Sequence, residues 1–323
     1  MTAANGPVRV AVVGMGNVGA TFAYALLLSG LAAEIVLIDV NRAKAEGEAM
    51  DLGHTEPFSH PTRIWAGDYP DCAGAVVTVV AAGVSQRPGE TRLDLVKRNA
   101  EIFRQIIPQV ATHNPEGILL IATNPVDVLT YFSLKLSALP PQRVIGSGTV
   151  LDTARFRHLL GEYFKVDPRS IHAHIIGEHG DSEVPVWSLA NIAGMKIPDF
   201  AKATGIHCDE ETLDAIFRQT RDAAYAIIER KGATFYAVAA GLMRIVEAIL
   251  RHQHTIINVS SAITGAYGIS DVCLSLPTVL NRQGVEKVLR LELSPSEQAG
   301  LRHSAEVLKS TLRTLNSRNG WDR

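Results

Sequence analysis

The chain has 323 residues, 46% of them hydrophobic and 20% charged, enough for two packed units of ordinary globular composition. A formal net charge of -2 with interspersed signs gives no basic stripe for nucleic acid, and no apolar run approaches the ~20 residues of a membrane span. Cys72, Cys208 and Cys273 stand far apart, odd in number and without CxxC spacing; that argues against a disulfide framework or a zinc site and fits a cytoplasmic protein.

Residues 1–7 lack a basic region ahead of an apolar run, so 8–13 reads as a first strand, not a signal-peptide core. Gly14, Gly16 and Gly19 follow it in GxGxxG spacing and lead into a buried helix whose most apolar part is 20–33. Gly14 permits the tight turn, Gly16 admits a pyrophosphate to the backbone, and Gly19 allows close helix–strand packing. A second strand, 34–38, ends at Asp39. A carboxylate there bonds both ribose hydroxyls and repels a 2′-phosphate, so NAD is expected and NADP is not.

Further strands are expected at 75–81, 117–121 and 143–145. Between them 91–111 has Leu93, Val96, Ile102, Ile106 and Val110 near helical spacing. Strands alternating with helices imply βαβ units and a Rossmann-type doubly wound parallel sheet. The polar loop from Gly83 to Arg92, with two arginines, two glycines and a proline, suits a mobile lid.

After residue 149 the texture changes. A helix at 152–164 and an extended run at 170–176 precede a long helical tract, 209–251, with a break at Gly232. Short β runs follow at 255–263, 272–279 and 284–293, then a C-terminal helix opening at Ser294 and Pro295, and a frayed tail over 316–323. The expected organisation is α/β: a nucleotide-binding domain over 1–149 and a second, α+β domain with antiparallel pairing over 150–323.

Within the second half, Asp152 and Arg155 lie at i, i+3 on one helix face, while Arg157 points elsewhere. His179 sits in a glycine-flanked turn, Gly177 to Gly180, beyond an apolar strand. His172 and His174 would share one face of that strand, but no third ligand presents itself, so no metal is expected.

These segments resemble the L-lactate/L-malate dehydrogenase family from residue 8 to about 315. The resemblance rests on the glycine fingerprint, the GVSQRPGETR loop, Thr123 to Asp127 (TNPVD), Leu151 to Arg155 (LDTAR), Gly177 to Asp181 (GEHGD) and Lys231 to Thr234 (KGAT). It implies that His179 is the acid/base for a substrate carbonyl and that Asp152 orients its imidazole. Arg155 would then grip the substrate carboxylate, Arg92 polarise the carbonyl, Asn124 add a hydrogen bond there, and Thr234 shape the pocket. NAD would lie against Gly14, Gly16, Val18, Gly19, Asp39, Gly83 and Asn124.

Gln86 decides the substrate in this frame. Malate-specific members carry Arg at the matching position, for the second carboxylate of oxaloacetate; a neutral Gln favours pyruvate and lactate. Arg87 is adjacent, but the ungapped spacing from Gln86 to Arg92 sets the register. Arg157 and His172 match positions at which bacterial members bind fructose 1,6-bisphosphate, and the short N-terminal arm also resembles bacterial members. The resemblance therefore implies a homotetramer open to sugar-bisphosphate activation. The competing readings are a malate dehydrogenase, a dehydrogenase for branched 2-hydroxy acids, and a non-catalytic NAD-binding protein. The last is expected to have lost His179, Asp152 or Arg155, and all three are present.

Overall fold

The computed structural model describes residues 6–85, 89 and 91–319, without the side chains of Arg92 and of 316–319. The first half lays down β1 (Arg9–Val13), α1 (Asn17–Ser29), β2 (Glu34–Ile38), α2 (Arg42–Gly53), β3 (Arg63–Ala66), β4 (Val77–Val80), α3 (Arg92–His113), β5 (Ile118–Ile121), α4 (Val126–Ser137) and β6 (Val144–Gly146). The second half has α5 (Val150–Phe164), β7 (Ile171–His172), β8 (Ile175–Ile176), β9 (Val184–Pro185), β10 (Asn191–Ile192), β11 (Met195–Lys196), α6 (Ile197–Thr204), α7 (Glu210–Lys231), α8 (Tyr236–Leu250), β12 (Thr255–Thr264), β13 (Ser270–Asn281), β14 (Gly284–Val288) and α9 (Pro295–Asn319).

β1 to β6 pair in parallel in the order β3-β2-β1-β4-β5-β6, the doubly wound order of a dinucleotide-binding sheet. Because side chains alternate across a strand, Val10 and Val12 enter a core with Phe22 of α1, Leu52 of α2 and Leu242 of α8. Ala11 and Val13 enter the opposite core with Phe103 of α3, Phe132 of α4 and Leu308 of α9. A third cluster, with Phe156, Phe164, Ile171, Phe200 and Ile216, packs α5 against α6, α7 and β7.

Several expectations are corrected by tertiary context. Strands β12, β13 and β14 are not a sheet of their own: β12 joins β6 at Ser260 and Gly146, giving one nine-stranded sheet. Gly146 makes this approach possible, since a Cβ there would meet Thr130 Oγ1 at 2.3 Å and Ser260 Cβ at 2.9 Å. The expected strand 170–176 is two strands in different small sheets, β7 against β10 and β8 against β9. The chain changes sheet at Ala173 and His174, so His172 and His174 do not share a strand face. The run 284–293 stops at Val288 because the Tyr267 hydroxyl takes over the backbone of Leu291, accepting from its N–H at 2.6 Å and donating to its carbonyl at 2.8 Å.

The tail is shorter than expected. α9 continues to Asn319, anchored by Leu308, Leu312 and Leu315 in the core at helical spacing. Helices α2, α4 and α6 and strand β3 escaped the sequence reading for local reasons. α2 buries only Ala45 and Leu52, α4 is rich in β-branched and aromatic residues, and β3 is an edge strand of mixed exposure. Gly232 does break the long helical tract, capping α7 at φ 82°.

Candidate active site

The carboxyl ends of β1, β2, β4 and β5 converge where the strand order reverses, the position at which an open α/β sheet leaves a crevice. At the end of β1, Gly14 has φ 100°, and a Cβ there would lie 2.4 Å from the backbone of Ala82. A Cβ on Gly19 would lie 1.9 Å from the Gly14 carbonyl oxygen, so close helix–strand packing requires glycine. Gly16 differs: a Cβ there meets nothing within 4 Å. It caps α1 without a side-chain hydrogen bond, and the first turn carries no acidic residue, so unsatisfied N–H groups and the helix dipole face outward. This cradle suits a pyrophosphate.

Asp39 is fixed at the rim. Its Oδ2 accepts from Met15 N at 2.6 Å and its Oδ1 from Asn41 N at 2.8 Å. Val18 is the second residue of α1, while Gly83 and Asn124 are exposed at the ends of β4 and β5. The buried amide of Asn99 on α3 clasps those two ends together. Its Oδ1 accepts from Val84 N at 2.8 Å and its Nδ2 donates to the Asn124 carbonyl at 2.9 Å. Asn99 was missed in the sequence; the available signal was an amide on the apolar face of α3.

The second cluster is built on α5. Ile175 of β8 is locked to this helix: its N–H donates to Thr153 Oγ1 at 3.1 Å, and its carbonyl accepts from Thr149 Oγ1 at 2.6 Å. The Asn258 amide reaches the same carbonyl from β12 at 2.7 Å. Beyond β8 the chain turns at Gly177, with φ 91°, and pairs with Ser275 of β13. Glu178 N donates to Ser304 Oγ on α9 at 2.6 Å, and His179 N donates to Asp127 Oδ2 on α4 at 2.7 Å. Three elements thus hold the turn that presents His179.

Asp152 uses both its carboxylate oxygens. His179 Nδ1 lies 2.5 Å from Oδ2, and Arg155 Nη1 donates to Oδ1 at 3.1 Å. One buried carboxylate therefore orients an imidazole and a guanidinium together. Burial works against charge on His179, but the field and hydrogen bond of Asp152 outweigh it and raise the imidazole from 6.5 to about 9. Burial likewise opposes charge on Asp152, yet His179 and Arg155 hold it ionised with a lowered pKa. Asp127, whose side chain carries the His179 backbone, is pushed up to about 6 chiefly by burial.

Arg157 points away, its Nε donating to the Ala173 carbonyl at 2.9 Å between His172 and His174. The structure thus brings Arg157 to the His172 segment, while the Arg155 guanidinium pairs with Asp152. Thr234 lies half-buried in the connection between α7 and α8. Gln86 and the Arg92 side chain lie outside the described residues; the backbone of Arg92 begins α3. Besides Asn99, the sequence reading assigned no role to Asp127, although it lies within the TNPVD motif, or to Glu183. Both are buried carboxyls with an oxygen lacking a hydrogen-bond partner among the described residues.

Residues 8–146 match the lactate/malate dehydrogenase NAD binding domain, and residues 149–318 match the lactate/malate dehydrogenase alpha/beta C-terminal domain. The chain belongs to the lactate/malate dehydrogenase family. Like the family it uses NAD, and it is an oxidoreductase. The chain is 52% identical over 303 residues to the L-lactate dehydrogenase of Priestia megaterium, covering 94% of this chain and 95% of that one. It is 53% identical over 308 residues to the L-lactate dehydrogenase of Acetivibrio thermocellus, covering 95% and 97%. Among solved structures, the minor L-lactate dehydrogenase of Enterococcus mundtii in its ligands-bound form superposes with a TM-score of 0.92 at 42% identity, covering 95% of this chain and 98% of that one. A lactate dehydrogenase from a Medee basin deep-sea metagenome library gives a TM-score of 0.92 at 44% identity, covering 96% and 99%.

Among the described residues no helix is long and apolar enough to cross a membrane. No group of three or more potential metal ligands occurs among them.

Proposed function

We propose that this chain is an NAD-dependent L-lactate dehydrogenase, reversibly reducing pyruvate to L-lactate. The observation that carries the reading is the Asp152 carboxylate, which bridges a protonatable imidazole and a guanidinium in one buried site. A small 2-oxo acid needs that pair: a cation for its carboxylate and a proton donor for its carbonyl oxygen.

In pyruvate reduction Arg155 holds the substrate carboxylate through its planar fork, a geometry that Lys does not reproduce. His179, protonated at neutral pH because its pKa is raised to about 9, donates a proton from Nε2 to the carbonyl oxygen. Its Nδ1–H stays on Asp152, which keeps the ring oriented and returns it to the charged form. Arg92 polarises the carbonyl as negative charge grows on oxygen, Asn124 contributes a hydrogen bond there, and Thr234 bounds the pocket. Bound NADH supplies the hydride. In the reverse direction His179 accepts the lactate hydroxyl proton.

For the cofactor we assign Gly14, Gly16, Val18 and Gly19 to the pyrophosphate cradle, Asp39 to the adenosine ribose, and Gly83 and Asn124 to the nicotinamide side. Gln86, neutral where malate-specific members carry Arg, selects a methyl group over a second carboxylate. One assay set tests the reading: NADH and NADPH oxidation with pyruvate, oxaloacetate and 2-oxoisocaproate in parallel. We expect pyruvate with NADH to give the highest kcat/KM, and NADPH to be disfavoured by repulsion between Asp39 and the 2′-phosphate. Equal kcat/KM for the two cofactors removes Asp39 from the selectivity argument, and a preference for oxaloacetate overturns the substrate assignment.

We further assign Arg157 and His172 to a fructose 1,6-bisphosphate site in a cytoplasmic homotetramer. In support, the Arg157 guanidinium lies against the backbone between His172 and His174, and His172 is exposed. These residues lie on elements that flank the catalytic groups: Arg157 shares α5 with Arg155, two positions after it, and His172 on β7 lies seven positions before His179. An effector that binds the active arrangement 10-fold better than the inactive one shifts the balance by ~1.4 kcal/mol per site. The bisphosphate is expected to lower the pyruvate KM or promote tetramer formation, and Arg157→Gln to abolish the response. Superimposable saturation curves with and without millimolar bisphosphate, over a range of enzyme concentrations, rule the effector out.

A further inference from the structure

Glu183 lies four residues beyond His179, in the same loop, and is only 6% exposed. Its N–H closes a turn onto the Gly180 carbonyl at 3.1 Å. Its Oε1 is buried and has no hydrogen-bond partner among the described residues. The groups that act on this carboxyl come from three elements: Asp152 and Arg155 on α5, His179 on its own loop, and Arg221 on α7. Arg221 is mainly engaged elsewhere, in an ion pair with Asp222 at 2.8 Å. Glu183 is therefore a second carboxyl in the neighbourhood of the Arg155 guanidinium, which pairs with Asp152. A buried carboxyl left without a hydrogen bond has no structural benefit to offset its desolvation.

We propose that Glu183 is a positioning residue for the reaction, a carboxyl that must be neutral for Arg155 to hold the substrate carboxylate. Ionised, it competes with the substrate for Arg155 and repels any 2-oxo- or 2-hydroxy-acid anion. Burial, reinforced by the negative charge of Asp152, pushes Glu183 from 4.5 up to about 9, against the pull of His179, Arg155 and Arg221. Burial thus keeps it neutral near neutral pH, and it ionises on the alkaline side. An ionised Glu183 in turn raises His179, so the two titrate as a coupled pair. The device admits monocarboxylate substrates near neutrality and closes the site to them at alkaline pH.

The inference rests on the reaction proposed above, and pH profiles separate the two. With pyruvate and NADH, productive binding needs both protons, on His179 and on Glu183. Above both transitions kcat/KM of the wild type should fall by about 100-fold per pH unit, against about 10-fold when one proton is required. Glu183→Gln, which keeps the shape but cannot ionise, should restore the 10-fold slope. Glu183→Asp, which retains a carboxyl, should keep the steeper one. With lactate and NAD the wild-type profile should rise as His179 deprotonates and then fall, the fall residing in KM and not in saturating kcat. In Glu183→Gln the descending limb should vanish and the ascending limb move to lower pH. The wild-type slope is itself decisive if the Gln variant does not fold, since a one-proton decline in the wild type overturns the proposal. So do superimposable wild-type and Gln profiles. Absence of pyruvate-dependent NADH oxidation at pH 7 in the wild type would instead overturn the parent reading.

Discussion

Replacing His179 by Asn is expected to lower kcat for pyruvate reduction by ~10²–10⁴-fold, the span associated with losing a positioned general acid. Asn can still donate one hydrogen bond toward Asp152, so the site keeps much of its geometry while losing the group that carries the proton. NADH affinity should persist, because the cradle of Gly14, Gly16 and Asp39 is built at the ends of β1 and β2, apart from the turn that presents His179. Stopped-flow turnover together with NADH fluorescence titration checks both halves, and near-normal turnover would remove His179 from the mechanism. The same variant has a stability signature. The folded pKa of His179 is raised from 6.5 to about 9, so its charge pair with Asp152 stabilises the fold fully below about 6.5, and that contribution is lost as pH rises through about 9. The difference in urea midpoint between wild type and His179→Asn should therefore shrink from pH 6 to pH 10.

Gln86→Arg is expected to reverse the substrate preference from pyruvate to oxaloacetate. In a closed, desolvated site an arginine facing pyruvate's methyl group is a buried cation without a partner, and removing one partner of such a pair typically costs ~2–5 kcal/mol. With oxaloacetate the same arginine meets a carboxylate. Since ~1.4 kcal/mol is tenfold, each side of the exchange is worth roughly 10-fold or more in kcat/KM, and the ratio of the two substrates changes by at least about 10²-fold. Steady-state kinetics with both substrates measures it. Should Arg87→Gln alter the discrimination while Gln86→Arg does not, the register of this loop is displaced by one residue.

The legibility of the fold and the site followed the range of the interactions involved. The glycine fingerprint, Asp39 and the shared face of Asp152 and Arg155 are short-range patterns. They were readable because strand and helix geometry fixes which residues face together over a few positions. The same holds for the parallel strands, whose apolar runs signalled burial on both faces, and for Gly232, where a left-handed cap ends α7. The antiparallel strands were recognised as strands but not as an extension of the first sheet. Their attachment depends on Gly146 meeting Ser260, 114 residues later in the chain, and no periodicity encodes that distance.

By itself the sequence determined the local devices: a pyrophosphate turn, a ribose carboxylate, an acidic and a basic residue on one helix face, and a histidine between glycines. Tertiary structure alone decided their electrostatics. His179 meets Asp152 across 27 residues and Asp127 across 52, and Glu183 joins them only because α5, α7 and the His179 turn pack together. The charge state of each group follows from a contest between desolvation and its neighbours' charges, and both terms depend on what surrounds the side chain in space. A histidine raised to about 9 and a glutamate raised to about 9 are therefore properties of the packed site. A glutamate four residues after a histidine is, as sequence, indistinguishable from one in a solvated loop.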